Sequence, residues 1–149
     1  MEKTIDGWAG VIKGRPMVGM RVERSRVTRQ EDIEAFTAMT GDRNPVHYDE
    51  ALAKKSPFGR IIVQGGVTTG LLNACVAEDL PGPGTVFLNL NLNFRKAVGI
   101  GERITGRVEV EEVRVDKPIC RLRVSVRDDA GDLCVEGAAT TFTVPLSAP

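Results

Sequence analysis

Gly65-Gly66-Val67-Thr68-Thr69-Gly70-Leu71-Leu72-Asn73-Ala74-Cys75-Val76-Ala77 carries no charge along its whole length. Val67, Leu71, Leu72, Cys75 and Val76 recur at helical spacing, while Gly66, Thr69, Gly70, Asn73 and Ala77 form a small-residue face. The pattern predicts a mostly apolar helix from Val67 to about Leu80, and such a helix belongs inside a fold. Leu80-Pro81-Gly82-Pro83-Gly84 ends it. Everything downstream reads as strands. Leu88, Leu90, Leu92 and Phe94 alternate with Asn89, Asn91 and Asn93, and Val108 and Val110 alternate with charged neighbours. Cys120, Leu122, Val124 and Val126 alternate with Arg121, Arg123, Ser125 and Arg127. Asp128-Asp129-Ala130-Gly131-Asp132 is a hairpin turn, and Leu133 to Val144 returns as a last strand. One buried helix followed by a run of antiparallel strands is an α+β pattern. Only a curved sheet covers such a helix on most of its sides.

Upstream of the helix, Met20 to Val27 alternates as a strand. Thr28 and Glu31 have capping-box spacing, which opens a helix at about Arg29 with Ile33, Phe36 and Thr37 or Met39 on one face. Gly41 stands in its C-cap position. Asp49 caps a short helix through Lys55, which Ser56-Pro57-Phe58-Gly59 breaks. Ile61-Ile62-Val63 is a short apolar run into Gly65-Gly66. Residues 1–19 are punctuated by glycine and are expected to wrap the surface or form an edge, pinned by Trp8.

The chain of 149 residues has the size of a single domain, taken as 1–149. Twenty basic residues balance twenty acidic ones, which leaves no bulk charge to attract nucleic acid or an anionic membrane. Cys75, Cys120 and Cys134 lie in apolar surroundings without CxxC spacing. They read as small buried hydrophobes in a reducing compartment, and with one histidine in the chain they argue against a zinc site. No apolar run approaches the ~18 residues of a membrane span, and the N-terminus lacks a signal pattern, so cytoplasm is the expected location and no metal is expected.

Between the first helix and the apolar one lies Thr40-Gly41-Asp42-Arg43-Asn44-Pro45-Val46-His47, with the only histidine of the chain. Gly41 permits a sharp turn, Pro45 fixes a dihedral and keeps Asn44 out of the helical region, and Asn44 can stiffen the loop through its side chain. Asp42 and His47 are thereby presented together, and such groups can exchange protons near neutral pH. The residues equally fit a helix C-cap followed by a turn, with His47 as an ordinary surface residue.

Phe36 through Ala51 reads F-T-A-M-T-G-D-R-N-P-V-H-Y-D-E-A. It resembles the hydratase signature of the MaoC-like, (R)-specific enoyl-CoA hydratases, whose "GDxNPxH" loop carries the catalytic Asp and His. Gly41, Asp42, Asn44, Pro45 and His47 match every fixed position. Ile61-Ile62-Val63-Gln64-Gly65 resembles a second block that usually ends in His-Gly, with Gln64 in place of that His. The likeness runs roughly from residue 24 to residue 144. It implies a hot-dog fold, an antiparallel sheet wrapped around a central helix. It also implies an enoyl-CoA hydratase that adds water reversibly to a 2-enoyl thioester, so coenzyme A enters with the substrate and no separate cofactor is expected. Asp42 and His47 take the catalytic roles, Gly65 offers its N–H to the thioester oxygen, and Asn44 and Gln64 are supports. A homodimer or a multiple of it is implied, with the acyl tunnel at the interface.

Asn73 is polar on the middle of the apolar helix and must find a partner. Asp42 and the backbone of the sheet are the two candidates. Arg95, Lys96 and Arg103 either meet the phosphates of coenzyme A or form a solvated sheet edge. A hot-dog thioesterase is a competing reading, but Gly65 to Ala77 contains no Asp or Glu, where such enzymes commonly place a carboxylate. A dehydratase for a hydroxylated dicarboxylic acyl thioester and a non-catalytic acyl-binding domain complete the alternatives.

Overall fold

The computed structural model describes residues 5–147. Five strands form one antiparallel sheet in the order β1-β3-β4-β5-β2. They are β1 (Arg21–Val27), β2 (Thr85–Phe94), β3 (Arg103–Val113), β4 (Ile119–Asp128) and β5 (Leu133–Thr143). The helices α1 (Gln30–Thr40), α2 (Glu50–Lys55) and α3 (Gly65–Ala74) all come between β1 and β2, and α3 continues as a π turn over Cys75–Asp79. This is the α+β hot-dog arrangement that the sequence implies.

Period-two alternation decides which face of the sheet is buried. Ile104, Val108 and Val110 of β3, Cys120, Leu122, Val124 and Val126 of β4, and Val135 and Ala139 of β5 share one core with Leu71, Leu72, Cys75 and Val76. Fully burying one such Val or Leu side chain contributes roughly 1.5–3 kcal/mol. Arg121, Arg123 and Arg127 point the other way and are exposed. A Cβ on Gly66 would lie 2.2 Å from the Phe36 ring, so this glycine lets α1 cross close over the start of α3.

Several local expectations need correction. Helix α1 opens one residue later than expected, with Arg29 as N-cap, and the Arg29 N–H donates to the Asp32 carboxylate (2.8 Å). Thr28 is buried and its hydroxyl donates instead to the Gly99 carbonyl (2.6 Å), so it serves the loop before β3 rather than the helix. Asp49 caps α2 as expected, accepting from the Leu52 N–H (3.1 Å).

The sheet covers only one side of α3. Gly70, Asn73 and Ala77 are exposed. Asn73 therefore needs no buried partner, and among the described residues it hydrogen-bonds neither Asp42 nor the sheet. The alternation in β2 is present but slips at a bulge between Phe87 and Asn89. An edge strand, β2 packs Phe87 and Leu92 against the core but leaves Val86, Leu88, Leu90 and Phe94 exposed, at 51, 57, 40 and 61%.

The N-terminal segment can be followed from residue 5. It wraps the surface rather than pairing as an edge strand. Trp8 pins it: the indole is buried and its Nε1 donates to the Arg114 carbonyl (2.6 Å).

Candidate active site

Helix α1 ends at Gly41, whose φ of +82° is the left-handed cap conformation and whose N–H returns to the Thr37 carbonyl (2.7 Å). The turn delivers Asp42. Residues 42–46 form two consecutive side-chain turns: Asp42 Oδ1 accepts from the Asn44 N–H (3.0 Å), and Asn44 Oδ1 accepts from the Val46 N–H (3.3 Å). Pro45–His47 then makes a single 3₁₀ turn. The loop is thus fixed by residues that compete with helical hydrogen bonding. The Asn44 side chain stiffens the loop in this way.

His47 is buried, against the reading of it as a surface residue. Its Nδ1 sits 2.6 Å from the Ile62 carbonyl oxygen, which can only accept. Nδ1 therefore carries the proton, and in the neutral ring Nε2 presents a lone pair. Nε2 faces Asp42 Oδ2 at 3.9 Å. That is too long for a direct hydrogen bond. An oxygen about 2.8 Å from each atom would see them at an angle of about 90°, near the H–O–H angle of water. One water can give one hydrogen to each acceptor and turn a lone pair outward.

The Ile62 carbonyl that holds His47 lies three residues before Gly65, so the histidine is tied to the approach to α3. Gly65 is the first residue of α3. It is exposed, and its N–H meets no acceptor among the described residues. A free N–H at a helix start is a prepared donor for negative charge. His47, Gly65, Thr68, Phe58, Phe94 and Val135 line one cleft of about 300 Å³. Asp42, half-buried, stands beside His47.

Gln64, the residue before Gly65, is buried behind this surface. Its Nε2 donates to the Ile33 carbonyl (3.1 Å) and to Thr37 Oγ1 (3.3 Å), and its Oε1 has no partner among the described residues. Arg95 and Lys96 do reach the cleft, but their charges are already engaged. Arg95 pairs with Glu136 (2.7 Å), and Lys96 with both Asp128 and Asp132 (2.7 Å each). These contacts hold Lys96 above its ordinary pKa and push the Asp128 carboxyl below the usual range. Arg103 is exposed at the start of β3 and does not line the cleft.

Two residues at the site are absent from the sequence reading as polar groups. Thr37 was visible only as a member of the inner face of α1, and Tyr48 only as the residue after His47. The available signal was position: Thr37 lies one turn before the cap at Gly41, where a hydroxyl on the buried face meets the chain returning from the cap. Among the described residues no group of three or more His, Cys, Asp or Glu side chains is placed to hold a metal ion. No helix among them is long and apolar enough to cross a membrane.

An antiparallel hot-dog sheet with an Asp–His loop beside a free helix start defines the class of MaoC-like domains. The chain belongs to this family: the family model described as "MaoC like domain" matches residues 14–129. Among curated relatives, the (R)-specific enoyl-CoA hydratase of Aeromonas caviae is 35% identical over 82% of this chain and 91% of its own length. The 3-hydroxybutyryl-CoA dehydratase of Methylorubrum extorquens is 36% identical over 86% of this chain and 80% of its own. The solved structure of an A. caviae (R)-hydratase involved in PHA biosynthesis superposes with a TM-score of 0.82 at 33% identity, covering 87% of this chain and 98% of that one. These relatives are hydro-lyases by name.

Proposed function

We propose that this chain is an (R)-specific enoyl-CoA hydratase, acting reversibly as a 3-hydroxyacyl-CoA dehydratase. The observation that carries the reading is the 3.9 Å gap between Asp42 Oδ2 and a His47 Nε2 whose lone pair is exposed by the Nδ1–Ile62 bond. Hydration of a 2-enoyl thioester needs a water aimed at C3, a route for its proton, and donors for the charge that develops on the thioester oxygen. The Asp42–His47 pair holds the water and takes its proton as the O–C3 bond forms. The C=C electron pair moves toward the thioester carbonyl, where the Gly65 N–H and the start of α3 stabilise the enolate oxygen. The proton held by the pair then passes to C2. Because water and proton come from one place, both add to the same face of the double bond. The two groups act as one titrating unit.

The apolar walls of the cleft, Phe58, Phe94 and Val135, suit a hydrocarbon acyl group. The thioesterase alternative lacks its carboxylate, since the first acids along α3 and its π turn are Glu78 and Asp79, and Asp79 is committed to Arg24 (2.6 Å). The exposed apolar side chains along the edge strand β2 and the open small-residue face of α3 support a homodimer. Three free buried thiols support a reducing, cytoplasmic setting.

The test is a screen of the wild-type protein with crotonyl-, octenoyl- and dicarboxylic enoyl-CoA. Loss of enoyl absorbance with an (R)-3-hydroxyacyl product and no free thiol is the expected result. Rapid release of free CoA without hydration of any enoyl thioester would replace the reading with thioester hydrolysis.

A further inference from the structure

A single buried oxygen joins the three parts of the site. Thr37 Oγ1, on α1, contacts the Asp42 carbonyl (2.7 Å), Gln64 Nε2 (3.3 Å) and the Tyr48 hydroxyl. The directions follow from valence. The Asp42 carbonyl can only accept, so it takes the one proton of Thr37. Gln64 Nε2 can only donate, and with its own proton spent Thr37 must accept from the Tyr48 hydroxyl as well. One donor and two acceptor positions saturate the hydroxyl. Its neighbours are informative: Asp42 opens the acid–base loop, Tyr48 directly follows His47, and Gln64 directly precedes Gly65. The second Gln64 hydrogen returns to α1 at the Ile33 carbonyl (3.1 Å).

We infer that Thr37 is a positioning residue that sets the register between the Asp42–His47 pair and the Gly65 N–H, with Tyr48 and Gln64 as its two donors. The inference rests on the hydratase reading and adds to it a device that touches neither water nor thioester. A purely structural knot would be indifferent to what it ties. Here the ends of the tie are the first and last segments of the proton-handling loop and the residue before the oxyanion donor. Small displacements at such a place are expensive, since about 1 Å of misplacement can cost on the order of 10²-fold in rate. Asp42 and Tyr48 bracket one loop while Gln64 lies 16 residues beyond it, and no other side chain among the described residues bonds to all three.

Thr37→Val keeps shape and burial and removes the hydroxyl, while Thr37→Ser keeps the hydroxyl. Two readouts are taken on each: kcat and KM for enoyl-CoA hydration, and the imidazole ¹H–¹⁵N resonances of His47, which need no assignment because the chain has one histidine. The Val variant is expected to lose about 10- to 100-fold in kcat with KM within about twofold. It is also expected to displace the His47 resonances, and Ser to restore both. Tyr48→Phe, at a partly exposed position, removes one donor without threatening the fold and is expected to move both readouts the same way by less. Wild-type kcat in the Val variant, or unmoved His47 resonances, or failure of Ser to rescue, overturns the inference. If Val does not fold, unchanged readouts in Tyr48→Phe overturn it in its place. A wild-type protein that hydrates no enoyl thioester sinks the hydratase reading instead, and the His47 resonances still decide the positioning.

Discussion

Replacing Gly65 by proline removes one atom pair, the N–H proposed to stabilise the enolate, from a position unusually able to accept proline. Gly65 is the first residue of α3, where a missing N–H breaks no helical hydrogen bond. Gln64 before it is extended, with φ −60° and ψ 147°, which is the conformation a following proline requires. The new ring does meet the Phe94 side chain, because even a Cβ on Gly65 would lie 2.8 Å from Phe94 Cε1. Phe94 is 61% exposed and free to turn away, and Gly65→Ala imposes the same encounter while keeping the N–H. The comparison of Pro with Ala therefore isolates the donor. Loss of one oxyanion-hole donor costs about 10²- to 10³-fold in kcat, or roughly 3–4 kcal/mol of transition-state stabilisation. The assay is steady-state hydration of crotonyl-CoA by the two variants, with thermal unfolding as the folding control. Gly65→Pro is expected to unfold at or near the temperature of Gly65→Ala and to turn over at least about 10²-fold more slowly. A folded Pro variant as fast as the Ala variant would refute the assignment of this N–H.

Two further outcomes follow from the charges and from the open edge. Lys96 holds the Asp128 carboxyl below its ordinary range, as Arg24 holds Asp79, and the unfolded chain releases both to ordinary values near 4. The folded state therefore binds fewer protons there. Its advantage is full above about pH 4 and is lost as pH falls through the depressed folded values, so stability to denaturant should drop on that limb and Lys96→Met should flatten the drop. On β2, Leu88 is 57% exposed in the single chain; Leu88→Lys places a charge in the proposed dimer face and is expected to shift light scattering from dimer toward monomer at micromolar concentration, whereas an unchanged dimer mass would place the interface elsewhere.

The parts of this molecule that were legible in the sequence are the local ones. The loop from Gly41 to His47 shapes itself through contacts two residues apart, so Asp42 and Asn44 announce their own turns. The core face of β3 and β4 follows from a period of two. What escaped the sequence depends on partners far along the chain or on which side of an element is covered. The apolar composition of α3 suggested cover on most of its sides, yet the sheet takes one side and leaves Asn73 in solvent. Thr28 looks like an N-cap until the Gly99 carbonyl, 71 residues away, claims its hydroxyl. Lys96 reads as a free cation until the hairpin at Asp128–Asp132 folds over it. Gln64 reaches Thr37 because α1 crosses over the start of α3, Tyr48 because the loop after α1 turns back on it, and nothing in their spacing foretells a shared oxygen.

The central claim is that Asp42 and His47 hold one water and act as a unit, and a comparison of single and double variants addresses it most directly. Asp42→Asn keeps shape and loses charge; His47→Gln keeps some hydrogen bonding and loses proton transfer. Each single variant is expected to lower kcat for crotonyl-CoA hydration by about 10²- to 10⁴-fold, and the double variant to be little worse than either alone. Losses that simply multiply in the double variant would contradict a shared water, and wild-type rates in both single variants would contradict any catalytic role for the loop.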